Sequence, residues 1–271
     1  MTFLTEPEPP RGITIPVVEG IRRIVARNRG PMTYHGTNTY LIDAPGGVAV
    51  LDPGPLDEEH AQEVRDAAGA PITHILITHA HHDHIGNAAA LQALTGAPVY
   101  AYPKNAVGIV PDVPLHNGDA ILGMTCLHTP GHAPDHLCFL RPDGIVFSGD
   151  HVMSWRSTVV SPPHGSMAAY MNSIRLLLDR GGVLYLPGHG PPLPDPMKAV
   201  RKLYTRRSER EREVVAALGQ TPRSVADMAD ELYGNISEAL RPAAERNLTA
   251  HLIKLAQDGL AIEDDGLWRS A

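Results

Sequence analysis

The sequence predicts a sheet-rich α/β domain over residues 1–194, followed by a small helical domain, 195–271, that closes with a hairpin. Three observations carry this reading. Up to about Pro194 the chain is built of short apolar runs that end in Gly, Pro or Asp, as strands bounded by turns do. The stretch Pro191-Pro192-Leu193-Pro194-Asp195-Pro196 is a stiff joint. Beyond it the residues are charged and recur at helical spacing.

Taken in order, Tyr40-Leu41-Ile42 and Val48-Ala49-Val50-Leu51 flank the turn-rich Asp43-Ala44-Pro45-Gly46-Gly47 and read as a hairpin. Ile72 to Thr78 reads as a buried strand. Ala88 to Leu94 reads as a helix stopped by Gly96, and Val99-Tyr100-Ala101 as the next strand. Met167 to Leu178 is expected to be a helix capped by Ser166, because Met167, Tyr170, Met171, Ile174, Leu177 and Leu178 fall on one face. After the joint, a long helix carries Val200, Leu203, Val214, Val215 and Leu218. A second starts near Ser224, where Asp227 suggests a capping box, and a third carries Leu248, Leu252 and Leu255 up to Gly259. Leu260-Ala261-Ile262 and Leu267-Trp268 flank Asp264-Asp265-Gly266, whose Asp-Gly favours a tight hairpin turn. Helices followed by a small hairpin resemble a winged helix.

Composition narrows the function. Hydrophobic residues make up 43% of the 271, with only 5% aromatic, so aliphatic side chains must build the core. A formal charge of −7 gives no global basic field for nucleic acid or anionic lipid. No apolar run reaches the roughly 18–20 residues that span a bilayer, and Met1 to Pro10 fits neither a secretory signal nor a transit peptide. Cys126 and Cys138 lie in apolar runs without CxxC spacing and read as small buried hydrophobes in a reducing compartment. A cytoplasmic location, with no membrane association, is the expectation.

Of fifteen histidines, His60, His74, His116 and His251 read as surface filler or routine hydrogen-bonding groups. Others form a pattern. His79-Ala80-His81-His82-Asp83-His84 leaves the Ile72–Thr78 strand, and His132, Asp150 and His189 each sit at a Gly-containing turn. A short loop after a strand can turn alternate side chains toward two adjacent points. Imidazole and carboxylate suit zinc, manganese or iron(II), and the near absence of thiolate points to a catalytic rather than a structural site. Two metals roughly 3.5–4 Å apart would share a hydroxide nucleophile, and a carboxylate between them would offset their repulsion. Asp150 is the candidate for that carboxylate, and Asp83 and Asp150 are candidates to accept the proton.

On these residues the chain resembles the metallo-β-lactamase superfamily over essentially the whole stretch to about Pro194. The resemblance implies an αββα sandwich with the metal site at one edge of two packed sheets. It implies one metal on His79, His81 and His132, a second on Asp83, His84 and His189, and Asp150 bridging. Asp52, in Leu51-Asp52-Pro53-Gly54, matches an early Asp-x-Gly turn that braces the histidine loop, although a plain turn residue reads equally well. One departure is Asn87, where a second Gly often follows Gly86.

Aspartate at position 150 resembles the hydroxyacylglutathione hydrolases, lactonases and ribonucleases of the superfamily rather than true zinc β-lactamases. Gly36-Thr37-Asn38-Thr39-Tyr40-Leu41, Thr129-Pro130-Gly131-His132 with Asp135-His136, Tyr170-Met171-Asn172-Ser173, Pro187 to Pro191 and the C-terminal domain narrow the likeness. They resemble the branch containing the mitochondrial β-lactamase-like endoribonuclease and its bacterial relatives. The expected activity is therefore that of a dinuclear zinc hydrolase (manganese or iron as alternatives). Phosphodiesters of single-stranded RNA come first as substrate, with thioesters or lactones close behind. A metal-binding scaffold without catalysis is the remaining alternative, and no ligand is missing to favour it. His151, His164 and Tyr170 are candidate substrate contacts.

The long helix carries Lys198, Arg201, Lys202, Arg206, Arg207, Arg210 and Arg212. It reads foremost as a solvated face with i,i+4 pairs such as Arg207 with Glu211. The wing is acidic at Glu263, Asp264 and Asp265, which argues against sequence-specific DNA binding. The winged helix is then a packing, dimerisation or substrate-gating element, so a homodimer stays open.

Overall fold

The computed structural model describes residues 3–104, 110–234 and 236–271. Its first half runs β1 (Ile15–Val18), β2 (Ile21–Val25), β3 (Asn38–Ala44), β4 (Gly47–Leu51), α1 (Glu58–Ala68), β5 (Ile72–Leu76), α2 (His82–Ile85), α3 (Ala88–Thr95), β6 (Val99–Ala101) and β7 (Val113–Pro114). These strands form one seven-stranded sheet in chain order. The β3–β4 hairpin closes with Ala44 opposite Gly47, as the turn residues predict, and β4, β5 and β6 pair in parallel.

The second sheet comes from β8 (Ala120–Ile121), β9 (Met124–His128), β10 (Leu137–Leu140), β11 (Ile145–Gly149), β12 (Leu184–Pro187) and β13 (Leu193–Pro194), with α4 (Met167–Arg180) crossing between the parallel pair β11 and β12. Ser166 caps α4 by accepting from Ala169 N at 3.3 Å.

Alternation along the strands makes the layers. In β3 and β4, Tyr40, Ile42, Ala49 and Leu51 face the other sheet, while Leu41, Val48 and Val50 face α1 and α3. From the second sheet, Met124, Cys126, Leu137, Phe139 and Phe147 fill the same central layer, and Tyr40 meets Phe147 edge-on at 5.3 Å. Leu127, Cys138 and Val146 point outward under α4. The result is an αββα sandwich. Both cysteines are buried and free, and burial pushes each thiol up to about 12.

The remaining chain forms α5 (Pro196–Ala217), β14 (Arg223–Ser224), α6 (Val225–Tyr233), α7 (Arg241–Gln257), β15 (Ala261–Asp264) and β16 (Leu267–Ser270). It is a winged helix with a core of its own around Val214, Met228, Leu248, Leu252, Leu255 and Trp268. Asp265 and Gly266 both take positive φ, at 47° and 78°, the pair of values a type I′ hairpin turn needs. Val200, Leu203 and Ala250 of α5 and α7 pack instead under α4, so these helices belong partly to the sandwich. Among the described residues no helix is long and apolar enough to cross a membrane.

Three readings of polar residues change. His60 and His251 are fully buried rather than filler. Arg207 is not on a solvated face: it is 7% exposed and donates to Thr158 O and Asn247 Oδ1, while Glu211 pairs with Lys254 at 2.8 Å. Helical spacing placed Arg207 next to Glu211, but the packing of α5 against α7 turned the guanidinium inward.

Candidate metal centre

The candidate ligands gather where strands of both sheets end. Thr78 links the two sheets, since its O accepts from Leu137 N at 2.7 Å, and the histidine string follows at once. Beyond β4, Asp52 turns the chain with φ +51° and is buried. Its Oδ1 accepts from Thr78 N at 2.8 Å, and its Oδ2 accepts from Thr78 Oγ1 at 2.7 Å and from His84 Nδ1 at 2.8 Å. Of the two readings open for Asp52, the brace is the one its contacts describe.

Hydrogen bonds fix which nitrogen of each ring faces the cluster. Thr78 spends its one hydroxyl proton on the Asp52 carboxylate, so it accepts from His79 Nδ1 at 3.0 Å. His132 Nδ1 donates to Val159 O at 2.8 Å, and His189 Nδ1 donates to Gly36 O at 3.2 Å. In His79 and His132 this leaves Nε2 as the nitrogen turned toward the cluster, and in His84 and His189 the same nitrogen faces the carboxylates of Asp83 and Asp150.

These nitrogens crowd. His81 Nδ1 lies 2.9 Å from His79 Nε2 and 3.0 Å from His132 Nε2, and His84 Nε2 lies 3.3 Å from His189 Nε2. Asp83 Oδ2 is 3.2 Å from His189 Nε2. Asp150 stands between the groups, with Oδ2 3.7 Å from His132 Nε2 and 3.5 Å from His189 Nε2, and Oδ1 3.6 Å from His84 Nε2. Asp150 Oδ1 is buried without a hydrogen-bond partner. Convergent lone pairs and an orphaned carboxylate oxygen repel one another unless a cation sits among them. The donor set therefore fits divalent metal. Within 4.8 Å of one another lie the donors of His79, His81 and His132, of His79, His84 and Asp150, and of Asp83, His84 and His189.

Electrostatics agree with that fit. Burial and the neighbouring imidazoles push His79 well below the ordinary histidine value, and burial and His132 push His81 down to about 4, so both rings stay neutral as ligands must. Burial also opposes charge on His84 and His189. Even so, the carboxylates of Asp83, Asp52 and Asp150 raise His84 to about 9, and those of Asp150 and Asp83 raise His189 to about 10. Where the acids gather, the site calls for positive charge.

Several residues from the motifs noted above support the cluster without belonging to it. Asp135 Oδ2 accepts from Ala80 N at 2.8 Å and pins the histidine loop. His136 Nε2 accepts from Asp150 N at 3.2 Å. Asn38 Nδ2 donates to Pro187 O at 2.9 Å and Gly190 O at 2.8 Å, which holds the turn carrying His189. A Cβ at Gly188 would stand 2.6 Å from His84 Cε1 and 2.7 Å from Asp150 Oδ1, so only glycine fits there. Asn87, in place of a second glycine, is buried and exchanges two side-chain hydrogen bonds with the Asp57 backbone.

A cavity of about 300 Å³ opens on the cluster at His81, Asp83, His132 and Asp150. Met32, Met153, Val159 and Pro162 wall it, and Arg156, His164 and Arg246 stand around it. His164 is thus where a substrate contact was expected. His151 and Tyr170 are not: both are fully buried outside the lining, Tyr170 OH donates to His151 O at 2.9 Å, and their rings pack at 4.6 Å. In this arrangement neither ring is placed to touch a molecule in that cavity.

Comparison with known proteins gives the same outline. Residues 32–120 match the Metallo-beta-lactamase superfamily, and residues 224–268 match the Beta-lactamase associated winged helix domain. A Beta-lactamase-like protein 2 homolog of Drosophila melanogaster is 28% identical over 90% of this chain and 90% of its own. An Atrochrysone carboxyl ACP thioesterase of Aspergillus chevalieri is 30% identical over 87% of this chain and 80% of its own. Among solved structures, a Beta-lactamase domain protein from Burkholderia ambifaria superposes with a TM-score of 0.83 at 22% identity, covering 97% of this chain and 95% of that one. The protein TTHA1623 in a di-iron-bound form superposes with a TM-score of 0.56 at 30% identity, covering 65% of this chain and 96% of that one.

Proposed function

The chain belongs to the metallo-beta-lactamase superfamily of hydrolases, and on that premise we propose that its cluster holds two divalent metals and serves the hydrolysis of a small acyl thioester. His79, His81 and His132 would hold one metal in this reading and Asp83, His84 and His189 the other, with Asp150 supplying a carboxylate to either. Zinc suits the nitrogen and oxygen donors best, with manganese or iron(II) next. Metals bound there supply water of lowered pKa and Lewis-acid polarisation of the acyl oxygen. Asp83 and Asp150 would take the proton as the water is deprotonated, and the exposed His164 beside the cavity would meet the leaving group. Residues 1–194 form the catalytic unit in this reading, and residues 195–271 form a cover that brings Arg246 to the cavity.

The cavity is the observation that carries the acyl reading. It is compact, with an apolar wall of Met32, Met153, Val159 and Pro162 facing the ligand edge, as a short acyl chain requires. The sequence alone put single-stranded RNA ahead of thioesters, and the apolar wall on one side of the cavity reverses that order. RNA stays the second reading because Arg156 and Arg246, both beside the cavity, suit phosphate. The exposed wing carries Glu263, Asp264 and Asp265, and DNA is not proposed as a partner.

The test is turnover by the purified, zinc-loaded chain of acyl-pantetheine thioesters, lactones and a single-stranded RNA, with and without chelator. Thioester hydrolysis that chelation and Asp150→Ala both abolish is expected. RNA cleavage with the same sensitivities and no thioester turnover would restore the other order, and full turnover in a metal-free preparation would remove the metal mechanism.

A further inference from the structure

Arg207 is a buried guanidinium without a counter-ion among the described residues. Nη1 donates to Asn247 Oδ1 at 3.0 Å and Nη2 to Thr158 O, and the plane stands 5.6 Å from the Tyr170 ring centroid. Burying a cation against neutral partners is costly, and an apolar side chain would fill the same space more cheaply. What Arg207 does hold is one short backbone segment. Thr158 O is its acceptor, and Asn247 Oδ1, which it orients, also accepts from Val160 N at 3.0 Å.

That same segment touches the cluster from its other side. Thr158 Oγ1 donates to Asp150 O at 2.7 Å, and Val159 O accepts from His132 Nδ1 at 2.8 Å. Two cluster residues are thereby held by residues 158–159, and residues 158–160 are held in turn by one side chain from α5 and one from α7. Asp150 gains its second backbone tie from His136. For His132, Nδ1 donates to Val159 O, so the orientation of this ring depends most on the segment.

We propose that Arg207 and Asn247 are positioning residues, through which the C-terminal helices set the orientation of His132 and the placement of Asp150. The inference rests on the metal-centre reading for its consequence and on the hydrogen bonds alone for its geometry. It gives the winged helix a part in building the centre as well as covering it. The effect is directional: the group around His132 loses definition when the clamp is cut, while His84 and His189 keep their own braces in Asp52 and Gly36.

Asn247→Ala cuts the clamp with little volume change, and Asn247→Asp keeps an acceptor for both Val160 N and Arg207. Two readouts on the full chain test the idea. Zinc titration against a chromophoric chelator should show one of two sites weakened about 10–100-fold in Asn247→Ala, as loss of a ligand's outer partner does, with near-normal binding in Asn247→Asp. Imidazole nitrogen shifts of His132 in the chelated protein should show a bare Nε2 in wild type and Asn247→Asp, and a mixture of tautomers in Asn247→Ala. Arg207→Met should reproduce the Asn247→Ala pattern. Folded Asn247→Ala protein with an unchanged His132 tautomer would overturn the proposal, as would equal weakening of both zinc sites. If wild type itself takes up no zinc, the metal-centre reading fails, and the tautomer still decides the clamp.

Discussion

Asp52 Oδ2 lies 2.8 Å from His84 Nδ1, across 32 residues of sequence, and this contact decides which nitrogen of His84 faces the cluster. The carboxylate can only accept, so Nδ1 carries a proton and Nε2 is the nitrogen turned to the cluster. A residue just beyond β4 thus sets the orientation of a residue in the short helix α2.

Replacing Asp52 separates folding from metal binding. Asp52→Ala leaves Thr78 N and His84 Nδ1 without their acceptor in a buried place, and a cost of about 3–5 kcal/mol in urea unfolding is expected. Asp52→Asn keeps one acceptor and tolerates the positive φ, but turns an amide toward either Thr78 or His84. Its fold should survive while zinc affinity drops ~10–100-fold. Wild-type zinc affinity in Asp52→Asn would show that the His84 tautomer is held by something else.

Gly188→Ala should damage the centre without touching a ligand. Its Cβ would press His84 Cε1 and Asp150 Oδ1, displacing both by several tenths of an ångström or more. Misplacements of that order cost up to ~10²-fold in rate. Metal content by elemental analysis together with turnover should both fall, and an alanine variant as active as wild type would mean that the turn yields freely.

His60 links stability to pH. Thr39 Oγ1 donates to Asp52 O at 2.7 Å and so accepts from His60 Nε2 at 3.1 Å, leaving Nδ1 bare and buried. Burial lowers this ring to about 4, against roughly 6.5 when unfolded. Because the folded value is the lower one, the unfolded chain takes the proton first. The group destabilises the protein as pH falls from about 6.5 to about 4, by up to ~3 kcal/mol, and does nothing above that window. His60→Gln should flatten this part of the stability profile relative to wild type. Parallel profiles for the two proteins between pH 7 and pH 4 would contradict the assignment.

Arg246 stands exposed beside the cavity, and its charge should act on substrate rather than on metal. Arg246→Ala should leave zinc stoichiometry unchanged and raise KM several-fold for anionic substrates, with the difference shrinking at high salt. A loss of bound zinc in this variant would place Arg246 in the support of the centre instead.

The order and type of the clustered histidines and aspartates were legible in the sequence because each sits in a local motif where the chain leaves a strand. His79 to His84 follow β5, Asp150 follows β11 and His189 follows β12, and alternation and turn residues mark those strands. The helices of the C-terminal domain and the tight turn at Asp265-Gly266 were legible for the same reason. What only the tertiary structure decided concerns atoms brought together from distant segments. It made Asp52 a brace, buried His60 and His251, closed His151 and Tyr170 off from the cavity, and turned Arg207 away from Glu211. Periodicity and turn chemistry depend on neighbouring residues, so one sequence displays them. Tautomers, buried partners and the wall of a cavity depend on which surfaces meet, and the packing of two sheets and a winged helix sets that.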